Sequence, residues 1–322
     1  MEYRKLGASG LKVSELSFGS WVTLNKQVDS KLAERMFGTC FDAGINFFDN
    51  AEGYEAGGSE IVMGKALKAL ARPRDSYCVS SKVFFGGTPG PKPTQMGLSK
   101  KHVTEACHQA MQRLQVDYLD LYFCHRADPD TPISETVWAM HNLVTQGKVM
   151  YWGTSEWTAE EILEAYQFAI ANHLTPPTME QPQYNLLDRE RFEVEYAPVF
   201  ERYGMGTTTW SPLASGALTG KYLDGIPEGS RASLGGYEWL RKSMVESDRG
   251  QGRMQKVAQL MPIAAELGVS LSKLAIAWCL LNKNVSTVIL GASRVDQLEE
   301  NLTALEVVPL LTEDVQAKLE AV

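Results

Sequence analysis

The sequence predicts an α/β fold, a (β/α)8 TIM barrel preceded by an N-terminal β-hairpin. Eight short apolar runs alternate with longer segments of helical periodicity, and this alternation is typical of a parallel sheet with helices outside it. Eight such units close into a barrel, and 322 residues suit one barrel with extra helices and loops on the C-terminal side. No G-x-G-x-x-G follows the first strand, so a doubly wound dinucleotide-binding sheet has no support. We expect a single domain over residues 1–322 because no linker divides the chain.

The predicted elements follow one another in strand–helix order after the hairpin. Residues 3–6 and 11–13 flank a Gly-containing turn, as in a hairpin. Helical periodicity over residues 29–43 ends at Gly44, and Ser59 is placed to cap the next helix. The predicted strands are 14–18, 45–49, 77–81, 120–124, 149–154, 178–180, 206–210 and 286–290. The predicted helices are 29–43, 59–67, 101–114, 133–146, 158–171, 192–203, 270–281, 295–305 and 313–320.

Charge and composition narrow the class of protein. The net charge of -8 argues against a broad surface for nucleic acid or anionic membrane, although not against a local phosphate pocket. No apolar run approaches the roughly 18 residues that span a bilayer, and the N-terminus lacks the apolar core of a signal peptide. The 5 cysteines are scattered, odd in number and without a C-x-x-C pair, which indicates reduced thiols. We therefore expect a cytoplasmic protein without membrane insertion and without a nucleic-acid partner.

Polar or small residues stand where the predicted strands end. In a TIM barrel these ends surround one mouth, where the active site is built, so residues far apart in sequence converge there. Each residue alone is weak evidence for a functional site. A lone lysine or serine is more often a solvated loop residue, and a lone tryptophan such as Trp210 more often belongs to the core. The joint pattern carries the prediction. Its members are Asp49, Lys82, His125, Ser155, Gln181, Ser211 and Gly291.

The residues Asp49, Tyr54, Lys82 and His125 predict proton transfer to a carbonyl. A free tyrosine has a pKa of about 10, and a neighbouring ammonium stabilises the phenolate and lowers that pKa. A buried lysine needs a counter-charge, which Asp49 can supply. A histidine beside the tyrosine can orient a carbonyl oxygen. No H-x-H, carboxylate cluster or G-x-S-x-G sequence supports a metal site or a serine nucleophile, so a hydride reaction with a bound cofactor is the prediction.

The remaining strand ends carry residue types that suit a nicotinamide cofactor. Ser155 and Gln181 can hold a carboxamide, and Trp210 offers a face on which a nicotinamide ring can stack. The loop from Ser211 to Gly216, with cations after it, can surround a pyrophosphate. Ser293 and Arg294 precede a helix, and a helix N-terminus suits the 2′-phosphate that distinguishes NADPH from NADH. The alternative for this last pair is a capped helix with a solvated arginine.

Motifs along nearly the whole chain resemble one family. The order Asp49, Tyr54, Lys82, His125, with segments 153–155, 210–213 and 291–301, resembles the aldo-keto reductase superfamily. Segments 21–23, 97–102, 126–129, 230–234 and 274–280 resemble one branch more closely, the β subunits of voltage-gated potassium channels and their bacterial relatives. His125 and Glu156 depart from that branch, which carries Asn and usually Arg there.

The resemblance implies roles for these residues. Tyr54 would be the proton donor, Lys82 and Asp49 would tune it, and His125 would orient the substrate. It also implies NADPH as cofactor and a tetramer or larger homo-oligomer. The full set of predicted cofactor-binding residues is Ser20, Trp21, Gln27, Asp49, Ser155, Gln181, Trp210, Ser211, Pro212, Leu213, Ala214, Ser215, Lys221, Arg231, Gly291, Ser293, Arg294, Gln297, Glu300 and Asn301.

The sequence is consistent with two alternative functions. The first is an NADPH-dependent reductase of small aldehydes or ketones, for which Trp21, Phe84 and Phe85 would favour an apolar substrate if they line the mouth rather than the core. The second is a regulatory module that senses the cofactor ratio for a channel partner. His125 favours the enzyme, and a channel partner is the less favoured alternative. Fold alone does not fix the substrate.

Overall fold

Eight parallel strands form a closed barrel in the computed structural model, which describes residues 1–21, 29–228, 230–233 and 241–322. The strands pair in the order β10-β3-β4-β5-β6-β7-β8-β9. The predicted (β/α)8 barrel is therefore confirmed. The bounds are β3 Leu16–Gly19, β4 Phe47–Asp49, β5 Cys78–Val83, β6 Leu119–Cys124, β7 Val149–Thr154, β8 Met179–Glu180, β9 Gly206–Thr209 and β10 Thr287–Leu290.

The N-terminal hairpin is formed by β1 (Tyr3–Lys5) and β2 (Lys12–Ser14), which pair antiparallel. Gly7 in its turn has φ +57°, and a Cβ there would lie 2.2 Å from the carbonyl oxygen of Gly204. Only glycine permits so close an approach of two backbones. The single strand predicted over residues 14–18 is wrong at its start, because Ser14 pairs in the hairpin and β3 begins at Leu16.

Contacts between Cα atoms divide the chain into two compact units. The first contains residues 1–182, 190–210 and 284–299, and therefore the hairpin and all eight barrel strands. The second contains residues 183–189, 211–283 and 300–322. Whether these form one folding domain, as the sequence predicts, stays a prediction. The helices are α1 Ser30–Asp42, α2 Gly58–Leu70, α3 Lys100–Leu114, α4 Ile133–Thr145, α5 Ala159–Ala171, α6 Ala197–Tyr203, α7 Asp248–Glu266, α8 Leu271–Leu281, α9 Val295–Leu302 and α10 Glu313–Glu320.

The core of the first unit closes one end of the barrel. Leu6 and Val13 of the hairpin belong to the same buried cluster as Phe47, Met179 and Leu121. Phe47 and Met179 are the first residues of their strands, so the hairpin packs under the N-terminal ends. The C-terminal ends are thereby left for the polar residues that the sequence places there.

Local sequence sets where several helices begin. The side chain of Asp29 accepts a hydrogen bond from Leu32 N at 2.8 Å at the start of α1, and Thr158 and Glu161 form a capping box at α5. Ser59 does not cap α2, contrary to the prediction. That helix begins at Gly58 after Gly57, which has φ +87° and a potential Cβ only 2.9 Å from Gly87 O. The close approach selects glycine, and the helix starts one residue earlier.

The helix predicted over residues 192–203 is divided in two. A π-helical turn covers Arg191–Glu195, and α6 begins at Ala197 with Pro198 in its first turn. Proline has no N–H to donate, so it is tolerated only where a new helix starts. Within the described ranges, no single helix has the length and apolar character to cross a bilayer. Only α7 and α8, bent by 92°, meet both criteria as a pair.

Candidate active site

Lys82 is the centre of the polar cluster at the C-terminal ends of the strands. Its ammonium donates to Asp49 Oδ2 at 2.6 Å, to the backbone oxygen of Asn50 at 2.8 Å and to the Tyr54 hydroxyl at 3.1 Å. The side chain is fully buried. All three donor hydrogens of the ammonium are thus used. The structure brings together the acid, the phenol and the lysine that the sequence predicts.

Asp49 is held by groups from three other strands. Its Oδ1 accepts from Ser80 Oγ at 2.7 Å and from Gln181 Nε2 at 3.1 Å. Its backbone oxygen accepts from the Ser20 hydroxyl at 3.0 Å. Because each of these partners sits on or just after a different strand, the carboxylate is fixed by the barrel as a whole. Ser80 was not among the predicted site residues, and its only sequence signal is its position two residues before Lys82.

Tyr54 is presented by a tight turn after β4. The turn Tyr54–Gly57 is a 3-10 helical turn in which Glu55 and Ala56 have φ of 50° and 51°. Left-handed conformations of residues with a Cβ cost free energy and are concentrated at functional sites. The turn directs the phenol back toward Lys82, whose Nζ lies 4.7 Å from the Tyr54 ring centroid.

Burial and charge act in opposite directions on the pKa of Tyr54. Desolvation raises it, the Lys82 charge lowers it, and the Asp49 charge raises it, so that the pKa lies above its ordinary value. Burial lowers the pKa of Lys82, but Asp49 and Tyr54 outweigh burial and hold it above its ordinary value. The sequence predicts the effect of Lys82 on the phenol correctly in sign. The sequence does not predict that burial raises the pKa of Tyr54 by more than the Lys82 charge lowers it. Tyr54 therefore holds its proton at neutral pH.

His125 lies beside Tyr54 as a buried imidazole. The two ring centroids are 5.7 Å apart at 76°, and Phe85 packs on the histidine with its centroid at 5.1 Å. Burial, followed by the positive charges of Lys82 and Arg126, holds the pKa of His125 well below its ordinary value. The imidazole is therefore neutral at pH 7, and its buried Nδ1 has no hydrogen-bond partner in the part of the chain that the structure describes.

A buried acid that sequence reasoning missed anchors the loop beside this site. Glu52 Oε1 accepts from Phe84 N at 2.8 Å and from Gly86 N at 3.0 Å. Its Oε2 lies 3.4 Å from His102 Nε2, and His102 Nδ1 contacts Gly97 O at 2.8 Å. Glu52 and His102 therefore hold both ends of the loop that carries Phe85. The available signal was Glu52's place between Asp49 and Tyr54.

Gln181 and Ser155 are already engaged within the barrel. Gln181 Nε2 donates to Asp49 and, at 3.1 Å, to Thr208 Oγ1. The Ser155 hydroxyl donates to the backbone oxygen of Gln181 at 2.9 Å. The Gln181 amide oxygen and the lone pairs of Ser155 are the groups with capacity for a carboxamide.

Trp210 is held by an ionised network at the end of β9. Its indole Nε1 donates to Glu156 Oε1 at 2.9 Å, and Glu156 Oε2 pairs with Arg191 at 2.9 Å. Trp21 packs edge-on against the indole, with ring centroids 6.2 Å apart. Glu156, where the resemblance implies a departure from the branch, thus fixes the orientation of the ring predicted to stack on nicotinamide.

The predicted phosphate site at α9 is exposed. Ser293 N donates to Gln297 Oε1 at 3.1 Å, and Gly291 lies two residues before Ser293. Arg294 pairs with Asp296 at 3.1 Å, with both side chains about 70% exposed. Arg294 and Asp296 border a shallow surface depression of about 420 Å³ that is also lined by Leu32 and Arg35. Arg294 is solvated and paired with Asp296, and its predicted contact with a 2′-phosphate stays a prediction.

The second unit has a loop with unusual backbone geometry directly after Trp210. Ser211, Ala214 and Ser215 have φ of 58°, 47° and 56°, and Gly216 has φ +96°. Ser211 Oγ accepts from Ser215 N at 3.0 Å, and Ser211 O accepts from Asn185 Nδ2 at 3.0 Å. Successive residues in left-handed conformations turn backbone N–H groups toward one side, which is the geometry of an anion-binding nest.

The remaining predicted cofactor residues lie in this unit or outside the described residues. Glu300 accepts from Ser270 Oγ at 3.0 Å, and Asn301 is buried. Lys221 approaches the Tyr222 ring at 5.1 Å. Pro212 is buried and Leu213 half-buried. Gln27 and the side chain of Arg231 lie outside the described residues, so their predicted contacts stay predictions.

The structure also describes the cysteine thiols and the side chains that could bind a metal ion. All five cysteines are buried free thiols. Over residues 1–21, 29–228, 230–233 and 241–322, no group of three or more His, Cys, Asp and Glu side chains is arranged to hold a metal ion.

Comparisons with known proteins agree with the resemblance read from the sequence. The model of the aldo/keto reductase family matches residues 15–322. A protein of Oryza sativa subsp. japonica, named as a probable voltage-gated potassium channel subunit beta, is 49% identical over 323 residues, which cover 100% of this chain and 96% of that protein. A protein of Arabidopsis thaliana with the same name has the same identity and coverage.

Proposed function

Because the chain belongs to the aldo/keto reductase family, and is therefore an oxidoreductase, we propose that it reduces aldehydes or ketones with NADPH and with Tyr54 as proton donor. One observation carries the proposal. The buried Lys82 ammonium touches the Asp49 carboxylate and the Tyr54 hydroxyl together, at 2.6 and 3.1 Å. This arrangement stabilises a phenolate at the moment when the tyrosine gives up its proton.

The residues present fit a nicotinamide cofactor. Trp210 offers an indole face whose orientation Glu156 fixes, and Gln181 and Ser155 keep acceptor capacity for a carboxamide. In the second unit, the left-handed backbone from Ser211 to Gly216 suits a phosphate group. When bound, NADPH supplies the hydride, which adds to the carbonyl carbon.

The chain's own residues manage the proton. Tyr54 is protonated at neutral pH and gives its proton to the carbonyl oxygen as that oxygen gains negative charge. Lys82 stabilises the resulting phenolate through its 3.1 Å hydrogen bond, and Asp49 keeps the lysine charged. The neutral His125, whose Nδ1 has no partner within the described ranges, can orient the carbonyl. Solvent then returns the proton to Tyr54.

A second candidate is a cofactor-sensing regulatory module. It is favoured by the names of the rice and Arabidopsis relatives, each called a probable potassium channel subunit beta. In that case slow reduction would accompany binding to a channel's cytoplasmic part. His125 favours the enzyme, because an imidazole can relay a proton as well as orient a carbonyl, whereas the asparagine that the resemblance implies for that branch can only do the second.

The proposal also covers the domain organisation, cellular location, oligomeric state and partners of the protein. We propose a single domain over residues 1–322, a cytoplasmic location, a homo-oligomer of four or more subunits, and no nucleic-acid partner. The net charge of -8 supports the last of these. Sedimentation analysis tests the oligomer, since a monomer at micromolar concentration would contradict it.

The first test is NADPH oxidation followed by absorbance with a panel of simple aldehydes, including methylglyoxal and 4-nitrobenzaldehyde. NADH is run beside it. Turnover with NADPH and little with NADH supports the tetrad and the site at Ser293 and Arg294. Tight NADPH binding with no turnover on any carbonyl would favour the regulatory module instead.

A further inference from the structure

Arg126 is a half-buried cation next to the active site that the proposed proton transfer does not use. It follows His125 directly after β6. Its Nη1 donates to the backbone oxygen of His125 at 2.5 Å. This hydrogen bond ties the guanidinium to the backbone of His125, whose ring lies beside Tyr54.

The other charges around Tyr54 have partners. Lys82 pairs with Asp49, and Glu52 lies against His102. Asp128, two residues beyond Arg126, accepts from Leu98 N at 2.7 Å and from Thr131 Oγ1 at 2.7 Å. Among the described residues, no carboxylate lies within ion-pairing distance of Arg126. Within the described ranges, the positive charge of Arg126 is therefore not balanced by a carboxylate.

Phe85 packs against both the guanidinium of Arg126 and the ring of His125. The guanidinium carbon lies 5.9 Å from the Phe85 ring centroid, and that ring lies 5.1 Å from the His125 ring. Phe85 is 43% exposed. The apolar ring of Phe85 therefore lies next to both the imidazole that would meet a carbonyl and the cation.

The charge also acts on the reacting groups. Arg126 lowers the pKa of both Tyr54 and His125 through its positive charge, although burial is the larger influence on each. A charge that acts on these two groups also acts on a substrate placed beside them. A negatively charged substituent on the substrate would therefore gain free energy from Arg126 that a neutral one cannot.

From these contacts we propose that Arg126 binds the carboxylate of the substrate, so that the preferred substrates are carbonyl acids with an apolar segment between the two groups. The inference rests on the proposed reductase function. A carboxylate is favoured over a phosphate because a single negative charge balances the single guanidinium, and because planar carboxylates match the guanidinium fork.

The test compares 4-carboxybenzaldehyde with methyl 4-formylbenzoate, which share the aldehyde and the ring but differ in charge. Turnover with NADPH is measured for the wild type, Arg126→Met and Arg126→Lys, and Arg202→Met on the exposed face of α6 is the matched control. Wild type and Arg202→Met should prefer the acid over the ester in kcat/KM by about tenfold or more. Arg126→Met should lose that preference, and Arg126→Lys should keep part of it.

Binding of the same two compounds to the NADP⁺-loaded protein, measured by calorimetry, separates this inference from the proposed function. If neither compound turns over but binding of the acid depends on Arg126, the carboxylate-binding role of Arg126 stands and the reductase function fails. If both turn over and the wild type shows no preference for the acid, the reductase function stands and the inference is overturned. An acid preference that persists in Arg126→Met overturns it as well.

Discussion

The Lys82 ammonium lies 2.6 Å from the Asp49 carboxylate, and both side chains are almost completely buried. Two charges removed from water in this way are retained only when each compensates the other and the remaining hydrogen bonds are made. Here Asn50 O, the Tyr54 hydroxyl, Ser80 and Gln181 make them. The pair is therefore part of the fold as well as of the proposed chemistry.

Lys82→Met should destabilise the protein by about 3–5 kcal/mol, because it leaves the Asp49 carboxylate buried without its counter-charge. The free energy of unfolding in urea measures the effect. Lys68→Met, on the exposed face of α2, is the control and should change little. The double variant Asp49→Asn/Lys82→Met should cost less than the sum of the single variants by about 0.5–3 kcal/mol. Strict additivity would mean that the pair does not interact as described.

Tyr54→Phe should lower kcat by at least about 10²-fold while leaving NADPH affinity nearly unchanged, since only the proton donor is removed. Steady-state kinetics and a cofactor titration measure the two quantities. Tyr166→Phe serves as the matched control, because Tyr166 stacks on Tyr203 on the helices outside the barrel. Full turnover in Tyr54→Phe would show that another group donates the proton.

His125 should make stability depend on pH in one direction. Burial, then Lys82 and Arg126, lower its pKa in the fold. Below about pH 6.5 the unfolded chain binds a proton that folded His125 does not, so stability falls as pH decreases. Relative to His125→Asn, the wild type should lose up to about 1.4 kcal/mol per pH unit between pH 6.5 and 5. Urea unfolding at a series of pH values measures this difference.

His102 should show the opposite sign and is the internal comparison. Burial lowers its pKa, but the hydrogen bond and the charge of Glu52 raise it above the ordinary value. Its stabilising contribution is therefore full below about pH 6.5 and is lost as pH rises through the folded pKa. The unfolding free energy of wild type minus that of His102→Asn should decrease between pH 6 and 8. Parallel profiles for the His102 and His125 variants would contradict both assignments.

Glu156→Ala should raise the KM for NADPH by about tenfold, because removing a charged acceptor from the Trp210 indole costs about 1.5 kcal/mol. The indole would lose the 2.9 Å hydrogen bond that orients it. Glu156→Gln keeps an acceptor oxygen and should lie close to wild type, so it is the control. Equal KM values in all three proteins would remove Glu156 from cofactor positioning.

Much of the barrel could be predicted because its signals are local. Apolar runs such as Ile45–Phe48 and capped periodic segments such as that after Asp29 are read from neighbouring residues. The predicted element boundaries are wrong where a contact with a residue distant in sequence determines the local structure. Helix α2 begins after Gly57 and is not capped by Ser59, because the backbone of Gly87 lies against Gly57. Ser14 pairs with Tyr3 in the hairpin and is not part of β3.

The sequence by itself determined that Asp49, Lys82 and His125 share one end of the barrel, because parallel strands all end on the same side. Only the tertiary structure decided their partners and the directions of their pKa shifts. Gln181 reaches Asp49 from 132 positions away, Glu52 and His102 hold the loop of Phe85, and Arg126 has no carboxylate partner in the part of the chain that the structure describes. Hydrogen bonding and desolvation depend on which atoms surround a group in space, and residue order alone does not specify those atoms.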